Sequence, residues 1–145
     1  MRIKDVLKGK GEGAAIVTVR PDTSVHDLIA LLAEYNIGAV IVSTDDNPVA
    51  GIVSERDIVR CLVSGVQALE GDVSTIMTSN VRSAKPDDSV DDLMKLMTEH
   101  RIRHVPVLTD EGLHGIVSIG DVVKSRIGEL EFERDQLTSY VSNAQ

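Results

Sequence analysis

The sequence has little cysteine and very few aromatic residues. Cys61 is its only cysteine, so no disulfide can staple the chain, which fits a reducing compartment. With no Trp, two Tyr and one Phe, it lacks the aromatic platforms on which single-stranded nucleic acid stacks. The net charge of -8 also opposes the basic face expected of a nucleic-acid-binding protein. We therefore expect no nucleic-acid partner.

Long apolar runs are also missing from the sequence. None approaches the roughly 18–20 residues that cross a bilayer, and the N-terminal MRIKDVLKGKGEG has no apolar signal-peptide core. We expect a cytoplasmic protein with no membrane partner. The 145 residues are 42% hydrophobic and 26% charged, which predicts an ordered globular protein of one ordinary domain or two very small ones.

One stretch of the sequence occurs twice. GIVSERDIV begins at Gly51 and GIVSIGDVV begins at Gly115, with six of nine positions identical. With a shift of 65, the 26 residues from Pro21 share thirteen identities with the 26 residues from Pro86. Such self-similarity indicates two copies of one structural unit, each about 60 residues long.

Each copy carries the same local signals. A short apolar strand (AIVTV, then NVRSA) leads to a helix start with Ser-x-x-Asp spacing at Ser24 and at Ser89. A β-rich pair with a polar turn follows, and a second helix is predicted near Glu55 and near Ile119. The order in each copy is therefore strand, helix, strand, strand, helix.

These signals predict an α/β (α+β) fold of two β-α-β-β-α repeats. Units of this size cannot bury their apolar faces alone, so we expect them to pack with pseudo-twofold symmetry. The predicted boundaries are 1–64 for the first repeat with its N-terminal segment, 65–75 for a linker, 76–127 for the second repeat and 128–145 for a C-terminal helix.

The duplicated stretch permits two interpretations. Ser54 with Asp57, and Ser118 with Asp121, have the spacing of a helix capping box, which is the commonest use of these residues. The same geometry ends a strand at a helix N-terminus, where free N–H groups suit an anion. A carboxylate beside that N-terminus can accept hydrogen bonds from ribose hydroxyls. The two roles are compatible.

Two units that each end in Gly-apolar-apolar-Ser-x-x-Asp resemble a tandem pair of cystathionine β-synthase (CBS) domains, also called a Bateman module. The resemblance covers roughly Ile3 to Ile127, and IMTSNV at Ile76 to Val81 resembles the family's entry to the second unit. It implies a non-enzymatic regulatory module of signal transduction that binds AMP, ADP or ATP in clefts between the repeats. NAD and S-adenosylmethionine would satisfy the same ribose contacts. It implies no catalytic residue and no catalytic cofactor.

The resemblance also implies which residues line each cleft. In the second-repeat cleft, basic residues would contact phosphate and aliphatic ones adenine; its residues are Val17, Ile37, Gly38, Arg103, His104, Ile116, Ser118 and Asp121. The first-repeat cleft would comprise Ile52, Ser54, Arg56, Asp57, Thr78, Val81 and Ile102. Gly38 and Ala39 stand where the second repeat has Arg103 and His104, so we expect the second-repeat cleft to bind phosphorylated ligands more tightly.

Other candidate chemistry is weak. His100 and His104 are four apart, but the repeat places His104 in a strand, and no further residue completes a metal-ligand set. Cys61 lies in an apolar helical segment, where a thiol is inert. We therefore predict no metal site and no thiol nucleophile.

The C-terminal segment is predicted to be a helix with Leu130, Leu137 and Val141 on one stripe. The helix could fold back on its own module or, as we favour, pack across a homodimer interface, which the resemblance implies and which Ile3 to Leu7 could join. Three functions stay open: a nucleotide sensor acting through an unidentified effector protein, a regulatory subunit or fragment of an enzyme such as an inosine monophosphate dehydrogenase-like protein, and a ligand-free dimerisation module.

Overall fold

The computed structural model describes residues 1–10 and 16–143. Its helices are α1 (Ile3–Gly9), α2 (Val25–Tyr35), α3 (Glu55–Cys61), α4 (Val90–His100) and α5 (Ile119–Asn143). Its strands are β1 (Thr18–Val19), β2 (Ala39–Val42), β3 (Gly51–Ser54), β4 (His104–Thr109) and β5 (Gly112–Ser118). Short 3-10 helices span Leu62–Ser64, Val66–Glu70 and Val73–Thr75.

The described chain divides into two compact units. The first-repeat unit comprises residues 16–83 and 108–114, and the second-repeat unit comprises residues 1–10, 84–107 and 115–143. Neither unit is continuous in sequence. The predicted α/β class, with two related repeats and a C-terminal helix, is confirmed by these elements.

Strands at equivalent positions pair in the two repeats, with one strand shortened in the second. In the first, β1 runs parallel to β2 and β2 runs antiparallel to β3. In the second, β4 pairs with β5, and the strand predicted at NVRSA is reduced to one parallel bridge between Ala84 and Val107. That bridge is the counterpart of the β1 pairing of Val19 with Val42. The predicted strand at AIVTV begins at Ala15, outside the described residues.

The first helices of the two repeats begin and end alike. Ser24 accepts a hydrogen bond from the Asp27 N–H at 3.0 Å, and Ser89 accepts one from the Asp92 N–H at 3.1 Å. These contacts confirm the predicted helix starts, and such a cap is worth about 1 kcal/mol. Asn36 and Arg101 then terminate α2 and α4 in the left-handed conformation, with φ of 51° and 53°.

Each unit is completed by the segment that precedes the other repeat in the sequence. This leading segment docks beside the start of the first helix of the unit in which it packs. The Ile3 N–H donates to the Asp88 carbonyl at 3.0 Å, and the Val73 N–H donates to the Thr23 carbonyl at 2.8 Å. Ile3 and Val73 are both 0% exposed. The N-terminal segment, which the predicted boundaries assign to the first repeat, thus packs in the second-repeat unit. Residues 65–75, predicted as a linker, include a buried anchor of the first-repeat unit.

The two cores correspond residue for residue. Valines and leucines at equivalent positions of the helices and strands are buried in both units, and no polar or charged side chain of the described chain is buried. The first-repeat core contains Val19, Val25, Leu28, Leu32, Val40, Val42, Val53, Ile58 and Val73. The second-repeat core contains Ala84, Val90, Leu93, Met97, Val105, Val107, Val117, Val122 and Ile3, with Val6 in addition.

The predicted C-terminal helix is the continuation of α5. This helix begins at Ile119 and runs without a break through Gly128 to Asn143, while residues 144–145 lie outside the described chain. The stripe of Leu130, Leu137 and Val141 is 52–64% exposed. A tail that folds back on its own module is therefore not observed. None of the helices described here combines the length and apolar character that a membrane-spanning segment needs.

Candidate functional site

The duplicated stretch forms two equivalent strand-to-helix junctions. β3 ends at Ser54 where α3 begins, and β5 ends at Ser118 where α5 begins. A backbone hydrogen bond from the preceding loop fixes each junction. The Glu55 N–H donates to the Gly38 carbonyl at 3.0 Å, and the Ile119 N–H donates to the Arg103 carbonyl at 2.8 Å.

At the first-repeat junction, the Asp57 carboxylate turns back to Ser54. Its Oδ2 accepts the Ser54 N–H at 2.8 Å and the Ser54 hydroxyl at 3.1 Å. Both side chains are half-buried. The capping interpretation of this pair is thus confirmed, and the contact holds the carboxylate at the mouth of the helix rather than out in solvent.

The second-repeat junction has the same capping box with one further partner. The Ser118 N–H donates to Asp121 Oδ2 at 2.9 Å, and the Asp121 N–H donates to Ser118 Oγ at 3.1 Å. The ammonium of Lys10 then forms an ion pair with the same Oδ2 at 2.9 Å. The Ser118 N–H and the Lys10 ammonium thus share one carboxylate oxygen, Oδ2.

These contacts perturb the acidity of Asp121. Partial burial raises the pKa of the carboxyl, but the hydrogen bonds from Lys10 and Ser118, with the charge of Lys10, outweigh that effect. The net result is a pKa below the ordinary value of 3.8. Asp121 is therefore an anion at neutral pH, which is the form that accepts hydrogen bonds from a vicinal diol.

Ile52 and Ile116, which lie two positions before the serines of the two junctions, have different hydrogen-bond partners. Ile52 forms a two-bond bridge with Thr78, in which the Ile52 N–H donates to the Thr78 carbonyl at 3.0 Å and the Thr78 N–H donates to the Ile52 carbonyl at 2.9 Å. The Ile116 carbonyl instead accepts the Lys10 ammonium at 2.8 Å. The structure thus pairs Ile52 with Thr78 on the strand that ends at Ser54. That these three residues line a ligand cleft stays a prediction.

The predicted basic residues occupy separate places. Arg103 is exposed and precedes β4, and its carbonyl contacts the first residue of α5. His104 opens β4 and is half-buried. Arg56 is exposed in the first turn of α3. Arg103 is tied to the second-repeat junction by the hydrogen bond of its own carbonyl with the Ile119 N–H.

Some predicted cleft residues belong to the unit that does not carry the corresponding motif. Val17 and Ile37 pack against the first-repeat core, and Ile102 packs against the second-repeat core. Gly38, predicted for the second-repeat cleft, also lies in the first-repeat unit, whereas Val81, predicted for the first-repeat cleft, lies in the unit that carries its motif. The packing of the aliphatic residues is a structural reason for their presence, and their contribution to a ligand cleft stays a prediction.

Lys10 is the functional candidate that the sequence interpretation missed. It lies 111 positions from Asp121, in a glycine-flanked segment without a recognisable motif. The available signal was the second repeat's need for a leading segment, because α1 of that segment places Lys10 at the junction.

Two other groups of candidates have structural explanations. His100 is the last residue of α4 and His104 is the first of β4, so the two imidazoles do not share a helical face. No cluster of three or more His, Cys, Asp or Glu side chains arranged for a metal ion occurs in the described part of the chain. Cys61 ends α3 and packs partly against the first-repeat core.

Sequence comparison identifies the class of protein that these repeats define. Residues 14–64 and 73–128 match the CBS domain, so the chain belongs to the CBS-domain family, and the predicted tandem pair is confirmed. The chain is 36% identical over 146 residues to the CBS domain-containing protein CBSX3, mitochondrial, of Arabidopsis thaliana, covering 96% of this chain and 71% of that protein.

Solved structures agree with this assignment. A putative signal-transduction protein with CBS domains from Burkholderia ambifaria shares 44% identity and a TM-score of 0.83, over 88% of this chain and 95% of the other. The CBS domain pair of protein MJ0100, in complex with 5-methylthioadenosine and S-adenosyl-L-methionine, shares 25% identity and a TM-score of 0.77, over 89% and 98% of the two chains.

Proposed function

We propose that this protein is a non-enzymatic regulatory sensor that binds adenine nucleotides at its two strand-to-helix junctions. The observation that carries the proposal is the pair of Ser–Asp junctions, each fixed by a hydrogen bond from the preceding loop. Membership of the CBS family, and the adenosine compounds bound to MJ0100, support it. AMP, ADP and ATP are the proposed regulatory ligands, and the proposed setting is a cytoplasmic homodimer.

Each part of a nucleotide has a proposed partner at the second-repeat junction. Asp121 would accept hydrogen bonds from the ribose hydroxyls through its carboxylate, whose Oδ2 is bonded in this structure by Ser118 and Lys10. The first N–H groups of α5 and the exposed Arg103 would face the phosphate. The adenine would lie against aliphatic side chains such as Ile116, held by burial and backbone hydrogen bonds.

The first-repeat junction is proposed to be the weaker nucleotide site. Asp57 offers the same carboxylate, but the loop residue bonded to its helix is Gly38, where the second repeat has Arg103. Arg56 is the remaining cation nearby in sequence. Hydrogen bonds assisted by charge are roughly twice as strong as neutral ones, so the junction with Arg103 should bind phosphorylated ligands more tightly.

The output of such a sensor is a change in conformational populations. A ligand shifts a protein between two arrangements only by as much as its affinities for the two differ. We propose that nucleotide binding biases the arrangement of the repeats or of the protomers, and that an effector protein detects the change.

A turnover assay tests the enzyme alternative, which reproducible nucleotide hydrolysis by the purified protein would support.

Titration calorimetry with AMP tests the proposed site. The wild-type protein should show one tighter and one weaker site. Asp121→Ala should abolish the tighter site, and Asp57→Ala should affect the weaker one. Arg103→Ala should weaken AMP while sparing adenosine, because only the phosphate contact is removed. If Asp57→Ala removes the tighter site and Asp121→Ala leaves it intact, the assignment of the two sites is reversed.

A further inference from the structure

One cation already occupies the acceptors of the second-repeat junction. The ammonium of Lys10 lies 2.9 Å from Asp121 Oδ2 and 2.8 Å from the Ile116 carbonyl oxygen. The Lys10 side chain is 32% exposed and that of Asp121 is 22% exposed. A single residue therefore bonds both the carboxylate proposed for ribose and the strand carbonyl beside the proposed adenine position.

Among the residues that the structure describes, no ammonium is bonded to the first-repeat junction in this way. Ile3 and Val73 are equivalent anchors, offset by 70 positions. Leu7 and Met77 share the same offset and are the side chains closest to Gly115 and Gly51, respectively. This offset places the exposed Asn80 where the second-repeat unit has Lys10. The two junctions thus differ by one positive charge at this position, independently of Arg103.

We propose that Lys10 is a specificity-determining residue that selects phosphorylated adenosine compounds over uncharged or cationic ones. This inference rests on the proposed nucleotide function. In this structure the ammonium is paired with Asp121 and Ile116. A ligand that takes these acceptors displaces the ammonium, and the flexible four-carbon stem lets it pair with an anionic group of the ligand instead.

The selectivity follows from what happens to the displaced charge. A phosphorylated ligand replaces the lost hydrogen bonds of Lys10 with charge-assisted ones to phosphate oxygens. An uncharged nucleoside such as adenosine breaks the same hydrogen bonds of Lys10 but offers the ammonium no anionic group in their place. Lys10 therefore competes with adenosine for Asp121 and the Ile116 carbonyl. A sulfonium ligand such as S-adenosylmethionine adds a second positive charge near the ammonium. The order expected is therefore AMP first, then adenosine, then S-adenosylmethionine.

The test compares ligand affinities in the full-length chain with and without the ammonium. Lys10→Met keeps the length of the side chain, and Lys8→Met, at an exposed lysine of the helix α1 that precedes Lys10, is the matched control. Calorimetry with AMP, adenosine and S-adenosylmethionine should show that Lys10→Met weakens AMP and strengthens adenosine. The AMP-to-adenosine affinity ratio should fall by about tenfold or more, the size expected for one charge-assisted hydrogen bond.

Each result of this experiment supports or overturns the proposed role of Lys10. Lys8→Met should keep the wild-type ratio, and Lys10→Arg should keep the preference for AMP because it keeps the charge. A wild-type ratio in Lys10→Met, or in Lys10→Gln should the Met variant not fold, overturns the role of Lys10 while leaving the nucleotide function intact. A wild-type protein that binds none of the three compounds overturns the proposed function and this inference with it.

Discussion

Removing the Asp121 carboxylate should destabilise the ligand-free protein measurably. Asp121→Ala deletes the acceptor of the Ser118 N–H, bonded at 2.9 Å, and the partner of Lys10, also at 2.9 Å. Both contacts join residues of the chain itself. Their loss is therefore a structural effect that must be measured before any effect on ligand binding is interpreted.

The expected magnitude of this destabilisation is the sum of a capping and an ion-pair contribution. Loss of a helix-capping interaction costs about 1 kcal/mol. An ion pair that retains partial solvent exposure contributes about 0.2–1 kcal/mol. We therefore expect Asp121→Ala to lower the free energy of unfolding by about 1.5 kcal/mol, which is about 3–6 °C in melting temperature for a chain of this size.

Urea unfolding followed by circular dichroism, without nucleotide, measures the change. Asp57→Ala is the matched comparison, because that carboxylate has the same capping contact with its serine but no recorded ion pair in the described chain. Its expected cost is about 1 kcal/mol. A double-mutant cycle between Asp121→Ala and Lys10→Met isolates the coupling of the ion pair. A stability of Asp121→Ala equal to that of the wild type would refute the geometry of the junction.

Three further predictions follow from the packing and the charges. Ile3→Ala, which empties a fully buried position, should lower the free energy of unfolding by about 2–5 kcal/mol, and a mild effect in urea unfolding would show that the leading segment does not anchor its unit. Deletion of the chain from Gly128 onward should weaken the proposed homodimer, whose mass is measured by analytical ultracentrifugation, and an unchanged dimer would place the interface elsewhere. In a carboxyl NMR titration, Lys10→Met should raise the pKa of Asp121 towards its ordinary value. Because the wild-type pKa is lowered, the stability that the ionised Asp121 confers is full above about pH 4 and is lost as pH falls through the folded pKa.

The repeats could be predicted from the sequence because their cores bury apolar side chains at equivalent positions. Val25 and Val90, or Leu28 and Leu93, are buried at equivalent positions of equivalent helices. A buried apolar position leaves a periodic pattern that one repeat reproduces in the other. The serine caps at Ser24 and Ser89 were predicted for the same reason, since capping depends on a side chain at a fixed spacing.

The leading segments could not be predicted in this way. Besides one buried anchor each, they dock through backbone hydrogen bonds, such as those of Ile3 with Asp88 and Val73 with Thr23. Backbone contacts impose little on residue type, and MRIK and GDVS, at residues 1–4 and 71–74, share no identity. Their offset of 70 also differs from the shift of 65 that aligns the repeats, so the comparison of the repeats passed over them.

At the candidate site, the sequence predicted the local contact of Ser118 with Asp121 but not the long-range contact of Lys10. Ser118 and Asp121 are three residues apart, and their spacing encodes a local capping contact. The contact of Lys10 with Asp121 joins residues 111 positions apart and depends on the docking of α1. A lone lysine beside glycines carries no pattern of its own. Its position became interpretable only once the leading segment was placed in the second-repeat unit.

The most direct test of the proposed function is the melting temperature of the purified protein with increasing adenine nucleotide. A ligand that binds only the native state stabilises it by RT ln(1 + [L]/Kd), about 2.7 kcal/mol at a hundredfold excess over Kd. We predict a saturable rise with AMP, ADP or ATP that Asp121→Ala reduces relative to its own ligand-free melting temperature. Unchanged melting temperatures with millimolar AMP, ADP, ATP, NAD and S-adenosylmethionine would contradict the proposal and favour a ligand-free dimerisation module.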